Sequence, residues 1–226
     1  MESGRSLISI MVQSIAAHLR RAVLVLALAV AFLALAALPA RAQYGTQVHD
    51  SSALHPPAGV RVAIVEFADM ECPDCANAYP LLRKASAKYH IPLIYHDFPL
   101  PYHVWSTQAA INARWFETKG VKIAEDYRSY IFANQRSIDT PAALANYTQT
   151  FAKSRGIAFP FAVDPQGKFA AGVKADYALG QRIGVEHTPT IWVVTAGTRN
   201  APFVEVVDRN KLYQLIDEAI ASTRGH

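Results

Sequence analysis

The only two cysteines among 226 residues form the run Cys72-Pro73-Asp74-Cys75, which falls between the most strand-like and one of the most helix-like stretches of the chain. Val60 to Phe67 (VRVAIVEF) is dense in β-branched and aromatic residues with no internal glycine or proline, the pattern of a buried central strand. Ala68 to Glu71 leaves room for a short loop. Pro73 then suits the first turn of a helix, where its fixed φ is pre-set and its missing N–H is not needed. That helix is predicted to run to Tyr89, with Tyr79, Leu81, Leu82 and Ala85 as its apolar stripe and a kink at Pro80. The chain must therefore fold so that a dithiol sits at a strand-to-helix joint.

A bridge closing so short a loop removes little entropy from the unfolded chain, so stability is a poor reason for the pair. Structural disulfides of exported proteins span longer loops and come in larger numbers. Reactivity is the better reason. At a helix start the first sulfur faces unsatisfied backbone N–H groups and the positive end of the dipole, which lowers its pKa. Cys72 is then the nucleophilic thiolate, and Cys75, one turn further in and more buried, resolves the mixed disulfide. Two metal readings compete. A zinc half-site needs two further ligands, for which only His96, His103 and His187 stand as candidates, and no second cysteine pair exists. A dithiol module for cuprous ion suits soft thiolates, but Met70 is alone near the pair.

Beyond the first helix, Ile91 to Phe98 reads as a second strand, giving a strand-helix-strand unit that starts a parallel sheet. Four helical patterns follow, Val104 to Lys119, Ile123 to Asn134, Thr140 to Arg155 and Gln166 to Ile183. Gly120, Gly156 and Gly184 mark their ends, and Asp139-Thr140-Pro141 marks a start. Thr190 to Thr195 and Pro202 to Val207 then form an antiparallel hairpin around Ala196-Gly197-Thr198-Arg199-Asn200. Asp208 caps a last helix from Arg209 to Ser222. The fold class is α/β, a central mixed β-sheet flanked by helices, with an all-helical subdomain inserted at about residues 102–184.

The first 42 residues read as a signal peptide. Arg20 and Arg21 precede the uninterrupted apolar run Ala22 to Leu38, and Ala40-Arg41-Ala42 has the small-x-small pattern of a cleavage site, so the mature domain is residues 43–226. Without cleavage, the run is at the short end for a membrane anchor. Met11 is an alternative start. Of 22 basic and 18 acidic side chains, this segment holds four basic (Arg5, Arg20, Arg21, Arg41) and one acidic (Glu2), leaving 18 against 17. A near-neutral domain gives no warrant for a nucleic-acid partner. The expected location is the periplasm, or outside the cell.

Taken together, the strand ending Val65-Glu66-Phe67, the Cys72-Pro73-Asp74-Cys75 centre, Pro80, the segment Asp97-Phe98-Pro99-Leu100-Pro101-Tyr102-His103 and the segment Gly184-Val185-Glu186-His187-Thr188-Pro189-Thr190 resemble the thioredoxin superfamily, and within it the DsbA-like branch with its helical insertion. The resemblance implies a thioredoxin-like fold and a thiol-disulfide oxidoreductase whose redox-active disulfide Cys72-Cys75 needs no other cofactor and no metal. It places Thr188-Pro189 at a cis-proline loop that binds substrate peptide, with His187 near enough to influence Cys72. Glu66 matches the family's buried acid, able to accept the Cys75 proton. The implied partners are exported proteins with thiols or disulfides and a membrane redox partner. Donation of disulfides is the preferred direction, with a reductase or isomerase as the alternative. Asp74 departs from the histidine often found there; with Asp69 and Glu71 it is expected to weaken the thiolate, and so to make the pair less oxidising than a typical oxidase of this branch.

Overall fold

The β-branched run forms β1, Val62–Ala68, with all seven residues buried. The structure is a computed structural model and describes residues 45–197 and 202–223; the signal segment expected over residues 1–42, and residues 198–200 of the expected turn, lie outside the described residues. Strand β2, Leu93–Asp97, pairs parallel with β1, from Ile64 opposite Leu93 to Ala68 opposite Asp97. On the other side of β1 lies β3, Thr190–Thr195, antiparallel, with β4, Phe203–Glu205, antiparallel beyond it. The mixed sheet has the order β2-β1-β3-β4. Two strands are shorter than expected. Pro92 has no N–H to give to the ladder, so β2 starts at Leu93, although the Pro92 carbonyl still accepts from the Ile64 amide at 2.9 Å and, at the other end, the Phe98 amide donates to the Ala68 carbonyl at 2.8 Å. Strand β4 stops at Glu205, although the Val206 amide still donates to Ile191 at 2.8 Å.

The two-residue period of the strands divides the core. Val62 and Ile64 of β1 join Ile191 and Val193 of β3 in one apolar cluster, with Leu82 and Ala85 of α1 (Pro73–Tyr89) and Leu212 and Ile216 of α6 (Leu212–Ser222). Their neighbours Ala63, Val65, Phe67, Trp192 and Val194 join the opposite cluster with Phe98 and Ile183. Asp208 caps Asn210 in a 3-10 turn, Arg209–Lys211, so the last α-helix begins at Leu212 rather than at Arg209.

Between β2 and β3 the regular elements are helical: α2 (Ser106–Glu117), α3 (Val121–Asn134), α4 (Pro141–Ser154) and α5 (Lys168–Ile183), with a 3-10 turn at Gln135–Ser137. Thr140 caps α4 by accepting from the Ala143 amide at 3.1 Å. A buried core of Trp105, Ala109, Ala113, Phe116, Tyr127, Ile131, Leu144 and Phe151 extends to Cys72 and Cys75 themselves, so the insertion roofs the dithiol. Helix α5 instead packs on the sheet, and Gly180 makes that approach tolerable: a Cβ there would stand 2.5 Å from Phe98 Cε2 and 3.0 Å from Phe67 Cδ1. Gly180→Ala should therefore lower stability by about 1–3 kcal/mol, read as a lower denaturant midpoint at unchanged slope.

Candidate active site

The loop after β1 and the tip of α1 build the site from adjacent residues. Cys72 is the N-cap of α1, and Pro73 occupies its first turn. Both sulfurs are free thiols, Cys75 wholly buried and Cys72 7% exposed. Opposite them the Thr188–Pro189 peptide is cis, and the Cys72 thiol donates to the Thr188 carbonyl at 3.3 Å.

The two thiols are driven in opposite directions. Cys72 is held down at about 5, first by the hydrogen bond from the Cys75 thiol, then, against its own burial, by the Thr188 hydroxyl and the amides of Cys75 and Asp74 at the helix start. Cys75 is pushed well above the usual thiol range by burial and by its neighbour Cys72, and the Asp69 amide, which donates to its sulfur at 3.4 Å, only partly offsets this. Glu66 is fully buried on β1, and burial raises its carboxyl to about 8 against the opposing pull of Arg128. Neither carboxyl oxygen has a hydrogen-bond partner among the described residues. Across the ladder from Glu66 stands Tyr95, with the Arg128 guanidinium 4.6 Å from its ring centroid.

The acidic residues do not act as their charges suggested. Asp69 is buried and fully engaged: its carboxylate accepts from the Glu71 amide at 2.7 Å, the Leu100 amide at 2.6 Å, His103 Nδ1 at 2.7 Å and the Ser106 hydroxyl. Glu71 accepts from the amides of Trp105 and Ser106 at 2.7 and 3.0 Å, capping α2. Asp74 Oδ1 pairs with Arg209 Nη2 at 2.7 Å. Each of the three carboxylates thus has partners of its own, and the causes that dominate at Cys72 are its hydrogen bonds and its burial.

Cys72, Cys75, Pro73, Thr188 and Pro189 thus meet at one point, with Glu66 behind them on the central strand. His187 is exposed and shares a recess of about 130 Å3 with Asp74, Pro189, Val206 and Arg209. Sequence reading missed Gln135, whose side-chain amide donates to the carbonyls of Met70 and Cys72 at 3.0 and 2.9 Å and ties the insertion to the cysteine loop. It missed Arg128 and Arg209 as well, and nothing in their local sequence marks them. His103 and His96, the other candidate zinc ligands, are each taken by a carboxylate, Asp69 and Asp176.

A family model described as Thioredoxin matches residues 59–202. No curated protein gives a significant sequence match. Among solved structures, the thiol-disulfide exchange protein alpha-DsbA2 from Wolbachia pipientis superposes with a TM-score of 0.57 at 19% identity, over 73% of this chain and 84% of that one. Proteus mirabilis ScsC in a transitional conformation gives 0.58 at 18% identity, over 98% and 97%. A periplasmic thioredoxin-like protein from Salmonella enterica serovar Typhimurium gives 0.57 at 18% identity, over 74% and 88%.

Proposed function

Because the chain belongs to the thioredoxin family and carries a thiol pair whose two members are driven apart in acidity at a helix tip, we propose that it is an exported thiol-disulfide oxidoreductase that donates the Cys72–Cys75 disulfide to other proteins. The observation that carries this reading is the separation itself: Cys72 at about 5, Cys75 well above the ordinary thiol value. A sulfur that is stable as a thiolate leaves readily and favours the reduced form of the pair, which makes its disulfide an oxidant.

The steps follow from the geometry. A substrate thiolate attacks Cys72 Sγ of the disulfide; a new S–S bond forms, the Cys72–Cys75 bond breaks, and Cys75 leaves with the electron pair. Its high pKa demands a proton, which Glu66, neutral at pH 7 with a value of about 8, supplies directly or through a water. A second substrate thiolate then attacks the substrate sulfur of the mixed disulfide, closing the substrate's disulfide and releasing Cys72 as its stable thiolate. The substrate leaves oxidised by two electrons and the enzyme is reduced by two, to be reset by a membrane redox partner. The Thr188 backbone beside Pro189 pairs with the extended substrate chain. Export follows from the signal pattern over residues 1–42, and the similarity to a periplasmic thioredoxin-like protein agrees with it. No helix among the described residues is long and apolar enough to cross a membrane.

The oxidised protein is expected to restore activity to reduced, unfolded ribonuclease and to be found mostly as the disulfide when thiols are trapped by alkylation in cells. A mostly reduced pair would turn the direction to reductase or isomerase. No exchange with ribonuclease or insulin, together with stoichiometric cuprous-ion binding, would replace the enzyme reading by the metal-binding one.

A further inference from the structure

The Asp74–Arg209 ion pair joins the second residue between the cysteines to a segment 135 positions away. Arg209 Nη2 lies 2.7 Å from Asp74 Oδ1 and Nη1 lies 3.4 Å from the Asp74 carbonyl oxygen, so the guanidinium grips both side chain and backbone of the first turn of α1. Capping of Asn210 by Asp208 fixes the 3-10 turn from which Arg209 extends. We propose that Arg209 is a positioning residue that sets the redox poise of the cysteine pair: it cancels the Asp74 carboxylate at the helix tip and holds a cation where the Cys72 thiolate develops.

The physical case starts from the charges around the sulfur. The titratable groups there are Cys75, Glu66, Asp69, Glu71, Asp74, His187 and Arg209, and Glu71 is taken by the amides of Trp105 and Ser106. Glu66 is neutral at pH 7, and the Asp69 carboxylate is saturated by four donors. His187 is exposed at the rim. Asp74 alone among the acids stands in the first turn of α1, where an unpaired carboxylate would oppose the thiolate, and Arg209 alone pairs with it. Arg209 is itself favoured in its charged form chiefly by Asp74 and then by the two cysteine sulfurs, so it lies within electrostatic reach of both. The arginine adds a second effect. Its fork restrains the dipeptide between the sulfurs, and a lysine would hold one charge but not both contacts.

The inference deepens the oxidoreductase reading and rests on it for Cys72 as the attacked sulfur, yet its test needs no turnover. The acidity of Cys72 is read from the ultraviolet absorbance of the thiolate in the reduced full-length protein, and the poise from equilibrium with glutathione, in which the disulfide and two glutathiones give the dithiol and glutathione disulfide. Arg209→Ala leaves Asp74 unpaired and should raise the Cys72 pKa by about half a unit, shifting the glutathione equilibrium roughly threefold toward the disulfide form, a modest effect because both side chains are part-exposed. Asp74→Asn leaves Arg209 uncompensated and should shift both quantities the opposite way by a similar factor. The double variant should return close to the parent, and Arg209→Lys should fall between. A merely structural pair would move both single variants in the same direction, and that result overturns the inference, as does an unchanged pKa in Arg209→Ala. Opposed pKa shifts without any exchange activity would instead uphold the role of Arg209 and discard the oxidoreductase reading.

Discussion

Replacing Cys72 with serine is expected to reduce disulfide exchange by on the order of 10^3-fold or more, since the attacked sulfur is lost and no other group can form the mixed disulfide. Cys75→Ser should behave differently. It keeps the reactive thiolate but removes the sulfur that expels the substrate in the reverse exchange, so with a disulfide-bearing substrate, whose second sulfur leaves as a thiolate, the variant should accumulate a covalent complex, visible as a higher-mass band that reductant abolishes. The asymmetry of the parent gives a sharper check. With Cys72 at about 5, on the order of 1% of it remains protonated at pH 7, whereas Cys75 stays almost wholly protonated and is buried. Alkylation of the folded, reduced protein should therefore add one label, at Cys72, with a rate that rises through a midpoint near pH 5. Two labels of equal rate, or a label at Cys75 first, would mean that the order of the sulfurs is wrong.

Glu66→Gln should show the second large effect, and in two observables of opposite sense. The proton-exchanging group is gone, so the step that forms or consumes the Cys75 thiolate should slow by roughly 10^2-fold at pH 7. The inflection near pH 8 expected of the parent, where Glu66 changes from proton donor to base, should vanish from the rate profile. Stability should move the other way. The folded-state value of about 8 lies above the ordinary 4.5, so the native protein holds a proton that the unfolded chain has lost between those limits. The stabilisation tied to that proton is fully present below about pH 4.5 and is lost as pH rises through about 8. Relative to Glu66→Gln, the parent should lose roughly 1 kcal/mol for each pH unit across that window, a few kcal/mol in all, and change no further above it. Parallel stability curves for the two proteins would show that Glu66 titrates normally.

Much of this was readable in advance from local chemistry. Strand β1 declares itself because Val62, Ile64, Val65 and Phe67, branched or aromatic, supply both of its apolar faces, and α1 because Pro73 can begin a helix but not continue a strand. Glu66, Cys72 and Cys75 fall within ten positions of one another, so a strand-to-helix joint brings them together without help from the rest of the chain. The helical insertion was legible from its 3.6-residue period, while its boundaries shifted by one or two residues where caps rather than periodicity end a helix, as at Gly120 and Thr140.

The sign of the field at Cys72 was not readable in the same way. Counting Asp69, Glu71 and Asp74 suggested a thiolate under repulsion, but a charge acts according to what faces it, and the facing groups, His103, Trp105, Ser106 and Arg209, come from the loop and helix start after β2 and from a turn near the end of the described chain. Composition and periodicity along the chain are enough to make a strand, a helix and a nucleophile at their junction, because each depends on neighbours a few residues away. Which carboxylates are neutralised, and therefore how strongly the sulfur ionises, depends on distances through space, and those exist only once β4 and the insertion have packed around the joint.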